Sequence, residues 1–420
     1  MTHANNKKDD LKVYKSNLKK VAVESTLTSI GAGFSAATIT VFWNSIGMNQ
    51  TQIGIVQMVF TIAILLLDIP MGYVADRFSR KVLNIIGDVG VAISFIVYAI
   101  SNNMYTVMLS ECLLGLFMAM TNGVDNSFVK YNCNKIDPSE TLLKKVNIKL
   151  NTARYVTLLI TVAIGGFVAK YSLRATIGLS FIPYFIGAIV VFGIKDFEKE
   201  EEEDDEELDG MFDVIKEIVG DSKSRAYLIS YVLGQEVTHG QVFLFTPLLM
   251  MVGVPIEIVS VAWAVNSIMN AIGSKISEKM INLKTSKVFA IAFIIEFLWI
   301  GIIAIKLNIV TVWLFALNGF VHGIVGGNLT TPLQNSTRDK IQTSVMSVAS
   351  TCKRLLYIPV VYLANYLGNI KLQLGLVGIV IVFLPLSFVT YLLLKKVEKG
   401  EEVKQLPAYV GDGAEYDSWC

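Results

Sequence analysis

Glu236 and His239 stand three positions apart inside a long apolar run, so a helix through them sets both side chains on one face near mid-run. An acid there is costly to ionise and is a functional candidate by default. A neighbouring imidazole, with an ordinary pKa of about 6.5, can tune or relay its proton. The pair admits three chemistries: a proton carrier whose occupancy follows the solute or a gate, a direct solute contact, or a hydrogen-bonded pair that packs helices. Gln235 sits beside them, and Glu111, Asp125, Arg154 and Arg354 are further charges within apolar runs. Arg154, Lys353 and Arg354 can extend their stems to an interface; alternatively Arg154 and Arg354 face an anionic solute group or Asp125. Glu111 falls toward an outer end, where water reaches it. His322 reads as a polar packing residue or a ligand, and Glu296 is expected at the periphery.

Elements that hold such residues must be mostly apolar, and the composition says so. Of 420 residues 53% are hydrophobic and only 17% charged, with a mean hydropathy of +0.55, against about a quarter charged in soluble domains. With 36 basic and 35 acidic residues there is no basic excess for nucleic acid. Cys112, Cys133, Cys352 and Cys420 form no CxxC pair, and His3, His239 and His322 are scattered, so neither a disulfide framework nor a metal site is expected. No phosphate-cradling loop exists, so ATP is not a direct energy source, and neither a cofactor nor enzymatic activity is expected. The lysine-rich start leads into an apolar stretch from Val21 to about Trp43, too long for a cleaved signal.

Set against a template of about 20 residues, the runs predict twelve transmembrane helices. They fall at 21–43, 53–75, 83–100, 104–128, 148–170 and 173–195, then 225–251, 256–278, 287–305, 309–332, 342–367 and 372–394. With both termini cytoplasmic, the outer loops hold only Lys170, Arg174, Lys306 and Lys371, as the positive-inside rule requires. Asp196 to Asp209 carries 11 of the 35 acids and reads as a solvated linker. The predicted organisation is a tail at 1–20, a six-helix bundle at 21–195, a linker at 196–224, a second bundle at 225–394 and a tail at 395–420. A short amphipathic helix is expected at Met211 to Val219. The halves repeat weakly: Gly115 and Gly123 match Gly319 and Gly327, Arg154 matches Arg354, and Gly47 matches Gly253.

Between the second and third spans runs Gly72-Tyr73-Val74-Ala75-Asp76-Arg77-Phe78-Ser79-Arg80-Lys81. This resembles the signature loop of the major facilitator superfamily, G-x-x-x-D-R-x-G-R-[RK], with Ser79 in place of the second glycine. The resemblance implies an all-α membrane protein of two pseudo-symmetric six-helix bundles. It also implies a conformational latch of Gly72, Asp76, Arg77, Arg80 and Asp125. The superfamily's cavity is lined by the first, fourth, seventh and tenth helices, which makes Asn122, Gln235, His322 and Glu111 solute-cavity candidates alongside Arg154 and Arg354. Glu111 stands where the superfamily's drug exporters carry an arginine, and Thr161 and Val162 stand where antiporters carry Gly-Pro; both departures weaken a drug-antiporter reading.

The expectation is a secondary transporter working by alternating access, exporting a small amphipathic compound in exchange for protons. The alternatives are a proton-coupled importer and a non-transporting interaction protein on the same fold. The expected partners are a small-molecule substrate, protons or another coupling ion, and the lipid bilayer, with the chain a monomer. Lysine outnumbers arginine 29 to 7, which suggests an AT-rich bacterial source and hence the cell membrane.

Overall fold

The computed structural model describes residues 2–77, 79–121, 124–137, 140–195, 211–280, 282–337 and 342–405, apart from some side chains within them. Nearly all of this is helix, because in an apolar medium each backbone N–H and C=O must be satisfied within its own segment. The first half holds α1 (Thr2–Ala36), α2 (Ile39–Ser45), α3 (Gln50–Arg77), α4 (Arg80–Ile100), α5 (Met104–Thr121), α6 (Val124–Ile136), α7 (Glu140–Ala169), α8 (Leu173–Leu179) and α9 (Phe181–Phe192). Then come α10 (Met211–Gly220), α11 (Ser222–His239), α12 (Val242–Met251), α13 (Ile256–Lys279), α14 (Thr285–Ile305), a 3-10 turn (Thr311–Phe315), α15 (Ala316–Asn335), α16 (Gln342–Ile370) and α17 (Leu372–Gln405).

Among the described residues nine helices are long and apolar enough to cross a membrane, or ten when α1 and α2, bent by 43°, count as one span. The two other segments that the sequence map reads as spans, 225–251 and 342–367, fall on the pair α11 and α12 and on the polar α16, which are not among these. The first is burdened by Lys223, Arg225 and Glu236, and the second by Lys353 and Arg354. The helices also outrun the map. α1 is helical from Thr2 rather than 21, and Asn17 exchanges two bonds with the backbone of Lys195, at 3.1 and 3.2 Å. α17 continues from 394 to Gln405, where Glu398 accepts from Ser286 N at 2.8 Å and Ser286 Oγ at 2.5 Å. Both stretches read as tails because they are polar, yet each has a neighbouring helix end to bond. The expected helix after the acidic run is present as α10, with Ile218 fully buried in the second half's core.

The two halves share local geometry where the sequence repeats. Gly47 and Gly253 have φ of +86° and +85°. After each glycine a backbone N–H reaches five residues back, Met48 to Trp43 O at 3.1 Å and Val254 to Leu249 O at 3.0 Å. This is a Schellman cap that needs a left-handed residue. Gly319 and Gly323 let α15 lie against α13: an added Cβ would sit 2.1 Å from Asn266 O and 2.2 Å from Asn270 O. Small residues bring backbones together in this way where lipid supplies no hydrophobic drive. Gly115, the partner of Gly319, packs α5 on Ala63 of α3.

Consecutive spans alternate in direction. The termini, α10 and the connections after α3, α6, α13 and α15 therefore share one face, here the tail face, and the other connections share the opposite face. At the opposite face the halves touch. Gln50 Nε2 donates to Asn365 Oδ1 and to Phe243 O, both at 2.9 Å, Thr246 Oγ1 donates to Ala37 O at 3.2 Å, and Trp43 meets Phe243 with ring centroids 5.6 Å apart. Lys170 and Glu257 add an ion pair at 2.9 Å.

Candidate functional site

The last two turns of α11 run through the interior, and every residue from Val232 to Thr238 is buried. Glu236 is 2% exposed; its Oε1 lies 3.6 Å from His239 Nδ1, and its Oε2 is buried without a hydrogen-bond partner. An oxygen in that position is costly unless it carries a proton or meets a partner that comes and goes. His239 is half-exposed, and its ring centroid lies 5.1 Å from that of His322 on α15. Thr238 Oγ1 donates to Gln235 O at 2.8 Å and lies 3.1 Å from His322 Nδ1.

His322 also lines a cavity of about 440 Å³ in the tail-face half, with Asn270, Ser277, Glu278 and Asn328 around it and Tyr155 of α7 closing one side. Asn328 Nδ2 donates to Ser277 Oγ at 2.8 Å and ties α15 to α13 at the cavity wall. Lys353 and Tyr357 on α16 lie within electrostatic reach of Glu236, and Tyr357 also feels Glu111.

Glu111 is not where water reaches it. It is 3% exposed and accepts at Oε1 from Tyr98 Oη at 2.5 Å and from Gln57 Nε2 at 3.1 Å. Packing against Gln57 of α3 and Tyr98 of α4 buries this outer-end residue, which counting along one helix does not show. Arg154 Nε donates to Ser25 Oγ at 2.5 Å and ties α7 to α1, half-buried in the first half. Arg354 is half-buried on α16. Gln235 is buried beside Glu236. Gly72, Asp76, Arg77, Arg80, Asn122 and Asp125 lie outside the residues whose side chains are described.

Glu296 corrects the reading that placed it at the periphery. It is fully buried and accepts from Trp299 Nε1 at 3.0 Å, from Asn318 Nδ2 at 3.1 Å and from Gln241 Nε2. The signal was present, an acid in an apolar span, but two of its three partners, Gln241 and Asn318, lie outside α14. Lys353 and Tyr357, both on α16, were missed as neighbours of Glu236 for the same reason. Among the described residues no cluster of three His, Cys, Asp or Glu side chains is placed to hold a metal ion.

Two packed helical halves, a closed face and a buried acid beside a cavity define a multi-span membrane carrier. The family model of the Major Facilitator Superfamily matches residues 25–360, and the chain belongs to that superfamily. It is a secondary transporter and not an enzyme. In fold it is similar to the crystal structure of the nucleoside transporter NupG, with a TM-score of 0.72 at 14% identity, over 91% of this chain and 98% of that one. It is also similar to a bacterial homolog of the human lysosomal transporter Spinster in an inward-facing, unoccupied conformation, with a TM-score of 0.74 at 13% identity, over 92% and 98%. Comparison with curated protein sequences gave no match.

Proposed function

We propose that the chain exports a small amphipathic compound in exchange for protons, with Glu236 as the coupling acid and His239 and His322 as its route to the tail face. The observation that carries this is the unpartnered oxygen of buried Glu236, two side chains away from a cavity-lining imidazole. A proton leaving Glu236 passes to His239, then across the 5.1 Å ring contact to His322 and to water in the cavity. The cavity offers hydroxyls, amides, one carboxylate and an aromatic ring, so it suits a neutral or cationic polar head on an apolar body. The tail face is cytoplasmic in this reading. Asp76, Arg80 and Asp125 act there as the latch that opposes the Gln50–Asn365 closure at the other face.

The test is uptake and efflux in proteoliposomes under an imposed pH gradient, with a panel of amphipathic cations, nucleosides and lysolipids. Nucleosides enter the panel because one structural neighbour transports them. The expected result is efflux of at least one class driven by inward protons. Uptake together with protons would overturn the direction, and no flux of any class would overturn the amphipathic-solute reading.

A further inference from the structure

We propose that Glu296 is a positioning residue that fixes the break in the seventh span, and so holds the coupling end of α11 in register with the closed-face residues of α12. This does not depend on the solute or on the coupling ion.

α11 ends at His239 and α12 starts at Val242, so the last carbonyls of α11 have no following turn to donate to them. Gly240 N still reaches Glu236 O at 3.0 Å, and two side chains serve the next two carbonyls. Asn318 Nδ2 donates to Thr238 O at 3.0 Å, and Gln241 Nε2 donates to Val237 O at 3.1 Å. Both of these amides also donate to the same atom, Oε1 of Glu296, while Oε2 is held by Trp299 Nε1 at 3.0 Å. One buried acid on α14 thus gathers the two groups that stand in for the missing helical bonds. The break is also wedged against α16, since a Cβ on Gly240 would lie 2.5 Å from Val360 Cγ1.

What lies on either side gives the staple its consequence. Before the break come Glu236 and Thr238, the latter bonded to His322. After it come Phe243, whose carbonyl accepts from Gln50, and Thr246, which donates to Ala37 O, both of them contacts that close the opposite face. Any change in the angle at 240–241 therefore moves the closed-face residues relative to the coupling acid. Glu296 is the group that sets that angle.

The experiment places spin labels at Tyr105→Cys and Val310→Cys, exposed opposite-face positions in different halves, in the full chain with its native cysteines replaced. Distance distributions are compared in lipid nanodiscs. Glu296→Gln keeps an acceptor oxygen for Gln241 and Asn318 and should reproduce the parent distribution. Glu296→Ala and, independently, Gln241→Leu should raise the ratio of opposite-face-open to closed molecules about five-fold or more. Trp299→Phe removes the Oε2 donor together with part of a buried ring packed on Phe245, and should lower the melting temperature without moving the distribution. The proposal is overturned if Gln241→Leu keeps the parent distribution, a result that decides the matter even where Glu296→Ala does not fold. It is equally overturned if Glu296→Gln departs as far as Glu296→Ala, because charge rather than acceptor geometry would then be at work.

Discussion

At the scale of single residues, burial sorts the charges that composition only counted. Glu236 and Glu111 are both nearly sealed, but Glu111 has two donors on one oxygen while Glu236 keeps an oxygen without a partner. The first is a satisfied structural group. Tyr98→Phe removes its shorter bond and should cost about 1–3 kcal/mol, read as a lower melting temperature with transport direction unchanged. Asp221 works by local bonding: it caps α11, accepting from Ser224 N at 2.7 Å and Ser224 Oγ at 2.8 Å. Burial pushes its carboxyl up, but the bonds from Ser224 and the nearby Lys223 charge outweigh this and hold it below the ordinary value. A lowered folded pKa stabilises above the unfolded pKa, and the gain is lost as pH falls through the folded pKa. Asp221→Ala should therefore lower stability by about 1 kcal/mol near neutral pH, with the gap to the parent closing in acid thermal melts. Glu236 and His239 were legible in the sequence because an acid in an apolar run stands out and a spacing of three sets the face. Glu296 carried the same signal, but its three donors come from Gln241, Trp299 and Asn318, two of them on other helices, which no count along one run can find.

At the scale of elements, apolar length specified the spans, and local chemistry decided where they end or break. Ser172 and Asp221 cap α8 and α11, and Gly47 and Gly253 end α2 and α12 with matching left-handed turns. The repeat pairing of those two glycines, weak in sequence, is a shared cap in the structure. The helical ends at 2–20 and 395–405 were not legible, because polar residues there read as solvated until Asn17 and Glu398 find their partners. Helix contacts through glycine give a sharp prediction. Gly323→Val forces a side chain into the backbone of Asn270 and should cost about 1–3 kcal/mol or more, with narrowing of the cavity that Gly323 lines. Gly301 meets nothing within 4 Å, so Gly301→Ala should raise the melting temperature slightly through the helix preference of alanine. A Gly301→Ala variant that loses as much stability as Gly323→Val would contradict this packing account.

At the scale of the whole molecule, among the described residues the inter-half bonds gather at one face while the cavity lies in the other half of the span. That asymmetry describes one end state of alternating access, closed opposite the tails. Gln50→Ala leaves the fully buried Asn365 oxygen without its donor, which penalises this state in particular. A cysteine placed at Ala37, 2% exposed behind that closure, should then react faster with a membrane-impermeant maleimide added at the opposite face. Unchanged reactivity would mean that Gln50 does not hold the gate. The family and the two-half architecture were legible from the Gly72 to Lys81 loop and the span count, since both depend on local pattern. Which face is closed was not legible, because the closing pairs join residues such as Gln50 and Asn365 that lie in different halves.

The central claim is that Glu236 couples proton movement to the solute, and fixing it neutral tests that most directly. In proteoliposomes loaded with the identified solute, Glu236→Gln should abolish pH-driven net movement while leaving solute-for-solute exchange close to the parent rate, since exchange needs the gates but not a change of protonation. If Glu236→Gln moves solute against its gradient as steeply as the parent under the same pH difference, Glu236 is not the coupling acid.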